Sequence, residues 1–201
     1  IGEPDDYFTS HIQDTEGNIW VTNLDGTFKF DGKKWTEYDK EQLPSDICNQ
    51  VIESSKKEIW VATKYGVAKQ DVDEWVSYEK QRGLHGNVIV KLFEDKENRI
   101  WVATKKDHRF KFLCVYEHGK WKAFSKDQLK IRGDITRIVD FHDKVIAFSK
   151  KGISIFNGKK WTNLIEQNKI ADDNFSELIV SRDKSIWFAG REGLYQLSTD
   201  G

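Results

Sequence analysis

Short apolar runs rich in β-branched and aromatic residues recur along the chain at a fixed interval. Ile-Trp-Val-Ala-Thr-Lys occurs twice, at Ile59–Lys64 and Ile100–Lys105, and weaker copies stand at Ile19–Asn23, Val145–Ser149 and Ile186–Gly190. The tryptophans of this phrase, Trp20, Trp60, Trp101 and Trp187, are spaced by 40, 41 and 86 residues, with Ile146 in the vacant place. A period near 40 with strand-like content predicts an array of β-propeller blades.

Laid over one another, the copies give repeat units of about 3–42, 43–83, 84–130, 131–170 and 171–201. Each opening ends in Asp or Asn (Asp6, Asp46, Asn87, Asp134, Asn174), whose short side chain is suited to bond backbone N–H groups at the turn into a strand. Four strand-like segments follow. The first is Tyr7–Asp14, Ile47–Ser54, Val88–Asp95, Ile135–His142 or Phe175–Arg182. The second carries the Trp phrase, apolar on both faces and therefore expected to be buried on both sides. The third ends in Asp31-Gly32 or Asn157-Gly158, strong hairpin signals, and the fourth begins at once with Trp35, Trp75, Trp121 or Trp161. Four antiparallel strands make a blade. One blade alone leaves two apolar faces open, so blades are expected to stack about an axis with Trp and Phe wedged between them.

The fold expected is therefore all-β, a propeller of about five four-stranded blades forming a single domain over 1–201. The second Trp follows the first by 15 residues in units one and two and by 20 in unit three, and follows Ile146 by 15; in unit five it would fall at position 202. The last blade is accordingly expected to lack its fourth strand. Either a longer parent continues the array or the ring closes on a three-stranded blade, and the exposed blade edge offers a place for a protein partner.

Composition narrows the function classes. Against 32 Lys+Arg stand 33 Asp+Glu, a net charge of −1, which leaves no basic excess for a nucleic-acid backbone. Charged residues make up 32% and mean hydropathy is −0.67, yet 8 Trp, 6 Tyr and 12 Phe are too many for a disordered chain. No apolar stretch reaches the roughly 18 residues of a membrane span. The chain has no Met, so its first residue is not expected to be the translation start. Cys48 and Cys114 stand at unequal places in their repeats without a CxxC, and read best as small buried hydrophobes. No metal and no cofactor are expected: His11, His85, His108, His118 and His142 show no metal-ligand spacing, and HExxH, GxSxG and phosphate-loop motifs are lacking. Asp172 and Asp173 are better explained as a solvated turn than as an acid/base pair.

The composite D-x-x-G-x-I-W-V-x-T, then G-V/L, then D-G-x-x-W-T-x-Y, resembles the two-component regulator propeller repeat. Asp14–Thr22 and Phe30–Tyr38 are close matches, and the similarity runs from about Glu3 to Gly201. Ile146 in place of the Trp, and five extra residues around Lys111–Glu117, depart from it. The resemblance implies an extracytoplasmic, periplasmic or secreted bacterial module of the kind that forms the sensor part of hybrid two-component receptors, often those detecting glycans. The motif is structural, so no ligand residue is carried over with it.

Ligands of propellers meet the central channel or the face built by loops entering the first strand and joining the second to the third. Aligned by sequence, one early first-strand series reads Thr9, Asn49, Val90, Arg137, Glu177 and the next Ser10, Gln50, Lys91, Ile138, Leu178. Arg137 and Glu177 are expected to pair at the channel mouth or to hold a polar ligand with Asn49, Gln50 and Lys91; a channel lined with structural polar residues is the plainer alternative. The second-to-third-strand loops offer Asp25, Tyr65, Asp107, His108 and Arg191, of which Tyr65 and His108 suit sugar stacking or hydrogen bonding. The function expected is non-catalytic binding of a small polar ligand or glycan, without nucleic acid. A polysaccharide-active lyase or hydrolase and a protein-interaction scaffold are the alternatives.

Overall fold

A computed structural model of the chain describes residues 7–72, 74–79, 84–86, 88–106, 109–170, 174–183 and 185–197. It falls into two compact units, Ile1–Ala123 and Phe124–Gly201. Both are built of propeller blades.

In the first unit the blades are four-stranded antiparallel meanders in chain order. The first comprises β1 (Ser10–Gln13), β2 (Ile19–Thr22), β3 (Thr27–Phe30) and β4 (Trp35–Tyr38). The second comprises β5 (Cys48–Glu53), β6 (Ile59–Thr63), β7 (Val67–Asp71) and β8 (Glu74–Tyr78). The third comprises β9 (Val88–Glu94), β10 (Ile100–Lys106), β11 (Arg109–Glu117) and β12 (Lys120–Ser125), the last running into the second unit. Every residue of β6 is buried, as expected of a strand apolar on both faces.

The aromatic wedges follow one rule in this unit. The fourth-strand Trp of a blade packs edge-on against the second-strand Trp and fourth-strand Tyr of the blade before it. Trp75 lies 6.3 Å from Trp20 and 5.3 Å from Tyr38, and Trp121 lies 6.5 Å from Trp60 and 5.8 Å from Tyr78. The first set belongs to the buried cluster around Trp20, Val51 and Val61 and the second to the cluster around Trp60, Leu92 and Val102.

The second unit keeps the pattern with changes. Blade four consists of β13 (Arg132–Phe141), β14 (Lys144–Phe156) and β15 (Trp161–Asn163), and blade five of β16 (Phe175–Val180), β17 (Ile186–Gly190) and β18 (Leu194–Leu197). β14 pairs with β13 through residues up to Lys151 and with β15 from Ser154 onward. Ser149 Oγ accepts from Lys151 N at 3.1 Å and donates to the Gly152 carbonyl at 3.2 Å, as Thr63 Oγ1 accepts from Tyr65 N at 3.3 Å and donates to Gly66 O at 2.9 Å. The second and third strands of the repeat are thus both inside β14, around a tight turn.

Two four-residue helices, α1 (Lys126–Leu129) and α2 (Leu164–Gln167), occupy connections that the apolar pattern left as coil or strand. Local capping explains them. Ser125 and Gln128 form a reciprocal capping box on α1, and Asn163 Oδ1 accepts from Ile165 N and Glu166 N on α2, which cuts the fourth strand short. The blade-four and blade-five core gathers Phe148, Phe175, Leu178 and Phe188.

Candidate functional site

The first strand of blades two to five carries a one-residue bulge that resets the alignment of the candidate residues. Cys48 faces Thr63 and Gln50 faces Ala62, so Asn49 is the extra residue; the same shift leaves Val90, Thr136 and Ser176 unpaired. Cross-strand register then places Ser10 opposite Thr22, Gln50 opposite Ala62, Lys91 opposite Ala103, Arg137 opposite Phe148 and Glu177 opposite Ala189. Arg137 and Glu177 therefore occupy the position of Gln50 and Lys91 in the repeat, and not that of Asn49 and Val90 as alignment by sequence suggests. A bulge adds a residue without changing the apolar pattern around it, so the slip is invisible until strands are paired.

Most of these side chains fasten one first strand to the next. Ser10 Oγ accepts from Val51 N at 3.4 Å, and Thr9 Oγ1 donates to Cys48 O at 2.7 Å. Asn49 Nδ2 donates to Ile89 O at 2.7 Å. Gln50 spans both main-chain groups of Leu92, accepting from its N–H at 2.8 Å and donating to its carbonyl at 3.2 Å. In the second unit Arg137 Nη2 lies 2.7 Å from Glu177 Oε1, with 51% and 55% of the side chains exposed. Lys91 is exposed. Asn49 and Gln50 spend their hydrogen bonds on the neighbouring backbone, whereas Arg137, Glu177 and Lys91 present charge to solvent.

At the turns between first and second strands, two further sets of contacts appear that apolar periodicity does not reveal. Asp14 Oδ2 accepts from Trp20 Nε1 at 2.8 Å while Oδ1 accepts from Asn18 N and Glu16 N. Asp95 repeats this for Trp101 at 2.6 Å and also pairs with Arg99 Nε at 2.6 Å. Burial of the Asp14 carboxyl opposes ionisation, but the donated hydrogen bonds from Asn18, Trp20 and Glu16 outweigh it and hold its pKa below the ordinary value. Where Ser54 replaces the Asp, Trp60 Nε1 turns to Glu58 at 3.3 Å. The second set joins blades: Glu53 accepts from Thr15 N and Oγ1, and Glu94 from Ser55 N and Oγ, all at 2.7–2.8 Å. The sequence signal for the Asp–Trp set is an Asp six residues before the Trp, the first position of the repeat pattern.

On the loop side, Tyr65 is 53% exposed and Lys64 Nζ sits 5.3 Å over its ring. His108 lies outside the described residues, as does Asp107. In blade two the turn into the first strand is bonded by Ser45 Oγ, which accepts from Ile47 N at 3.1 Å, while Asp46 accepts from Lys40 N at 2.7 Å. In the second unit a cleft of about 630 Å³ opens between α1, the start of β13, the β14 turn and α2. Among the described residues no group of three His, Cys, Asp or Glu is placed to hold a metal ion, and no helix is long and apolar enough to cross a membrane.

One of the two repeats that carry the full phrase matches a described family. Residues 83–106 match the family model described as the two component regulator propeller. Among solved structures, the chain is similar to the extracellular domain assigned to a hybrid two component system of B. thetaiotaomicron (TM-score 0.72, 20% identity, covering 94% of this chain and 27% of that one). It is also similar to the extracellular domain assigned to a one component system of the same organism (TM-score 0.68, 18% identity, 96% and 30%). A third similar structure is virginiamycin B lyase from Staphylococcus aureus, in a catalytically inactive form with quinupristin (TM-score 0.66, 14% identity, 96% and 70%). At these identities the likeness is one of fold. The chain spans less than a third of the length of the two extracellular domains. No curated protein matches the sequence.

Proposed function

We propose that this chain is an extracytoplasmic ligand-binding module of the sensor kind, recognising a glycan or another polar ligand without catalysis, in the periplasm or outside the cell. The observation that carries this reading is the regulator-propeller repeat at 83–106 together with structural likeness to two extracellular domains assigned to signalling systems. Asn49 and Gln50 build the blade interface, which leaves Lys91, Arg137, Glu177 and Tyr65 as the exposed members of the candidate set.

A glycan-array screen followed by calorimetry on the purified chain tests it. Saturable binding with the ligand recovered chemically unchanged is expected. The lyase likeness favours one second reading, a propeller enzyme, whose substrate would be a polysaccharide as the sequence alternative has it. Release of shortened or unsaturated products by the chain, lost in Glu177→Gln or Arg137→Gln, would establish that alternative. Capture of a protein partner, with every array position silent, would favour a scaffold instead.

A further inference from the structure

The cleft in the second unit combines an excess of cations with a rigid backbone. Its charged walls are Lys126, Lys130, Arg132 and Lys151 against Asp127 and Glu166, four cations to two carboxylates in a chain whose net charge is −1. Among the described residues no ion pair involves Lys130, Arg132 or Lys151. Arg132 and Lys151 are moreover direct cross-strand partners. Like charges directly opposed on a sheet repel and destabilise the empty fold, so blade packing does not account for them.

The segment that presents these cations is pinned at three carbonyls. Ser154 Oγ donates to Leu129 O at 2.5 Å, Asn163 Nδ2 donates to Lys130 O at 2.6 Å, and the single Ser149 hydroxyl proton is shared between Gly152 O and Arg132 O. Lys130 closes α1 in the left-handed region at φ 52°. A connection held this way presents its charges in place before a ligand arrives, which lowers the ordering cost of binding. Arg132 brings a planar fork suited to two oxygens of one group, Lys151 a point charge beside it, and the half-buried Ile165 an apolar wall.

We propose that this cleft is an anion-binding site for a small molecule whose recognised group is an oxyanion, a carboxylate, sulfate or phosphate, carried on a body that covers Ile165. This deepens, and rests on, the reading of the chain as a ligand-binding module. The site lies on the side of blade four formed by the entry to the first strand and the turn between second and third strands.

NMR titration of the full 201-residue chain at low salt with sulfate, inorganic phosphate and glucuronate separates the three sources of the oxyanion. Saturable shifts are expected at residues 126–132, 151 and 163–166 with at least one probe. Arg132→Gln and Lys151→Gln should each weaken that binding by at least about tenfold, and Lys33→Gln, an exposed lysine of the first unit, should not. The thermal midpoints of the two cleft variants should equal or exceed that of the parent, because a repulsive pair is removed. No saturable shift with any probe, or equal weakening by Lys33→Gln, overturns the proposal. If the anions fail while a neutral-glycan array responds unchanged in Lys151→Gln, the cleft assignment falls and the module reading stands; silence of both sinks both.

Discussion

The indole N–H of the second-strand tryptophan is a polar group carried into a dry core, and it must be satisfied there. Asp14 and Asp95 satisfy it while closing the turn that leads to it, so one side chain fixes both the turn and the wedge. Asp95→Ala strips partners from Trp101 Nε1 and from the Arg99 guanidinium and backbone at once, and should cost about 3 kcal/mol in urea unfolding. The depressed pKa of Asp14 fixes the sign of a pH effect. Its folded value lies below the ordinary 3.8, so its contribution is complete above that value and disappears as pH falls through the lower one. The stability deficit of Asp14→Asn should therefore be largest near neutral pH and shrink as pH falls below the ordinary carboxyl value of 3.8, as unfolding midpoints measured across that range will register.

Strands and turns carry the next layer. The bulge in the first strands of blades two to five turns one residue out of the ladder, and in blade two it points the following side chain at the neighbouring blade, which is how Gln50 reaches both main-chain groups of Leu92. Gln50→Ala should lower stability by about 1–2 kcal/mol and leave affinity for any ligand of the chain unchanged, a pairing of readouts that separates a blade fastener from a binding residue. The hairpin between third and fourth strands shows a local misfit. Gly32 and Gly158 take positive φ, 88° and 84°, but blade two places the β-branched Val72 at φ 56°, with the side chain 86% exposed. Val72→Gly should relieve that strain and raise stability by about 1 kcal/mol, visible as a rise of a few degrees in melting temperature.

Within each unit, the apolar groups are consumed by contacts between its consecutive blades, and in the first unit both thiols go with them. Burial pushes the Cys48 thiol up to about 11 and the Cys114 thiol up to about 12. Neither should react with iodoacetamide at about pH 8 in the folded chain, and both should react in denaturant, with mass spectrometry counting the adducts. Strand content, the four-strand repeat and the tryptophan wedges were legible in the bare chain, because every unit must bury the same two faces and so repeats the same apolar spacing. Arg137 and Glu177 could likewise be matched as partners from neighbouring units. Their register with Gln50 could not, since a bulge leaves the periodicity intact. Nor could the work of Asn49 and Gln50, or the meeting of Arg132 with Lys151 across β13 and β14: a polar side chain takes its role from whichever backbone or charge comes within bonding distance, and that distance is set when strands pair and blades pack, not by spacing along the chain.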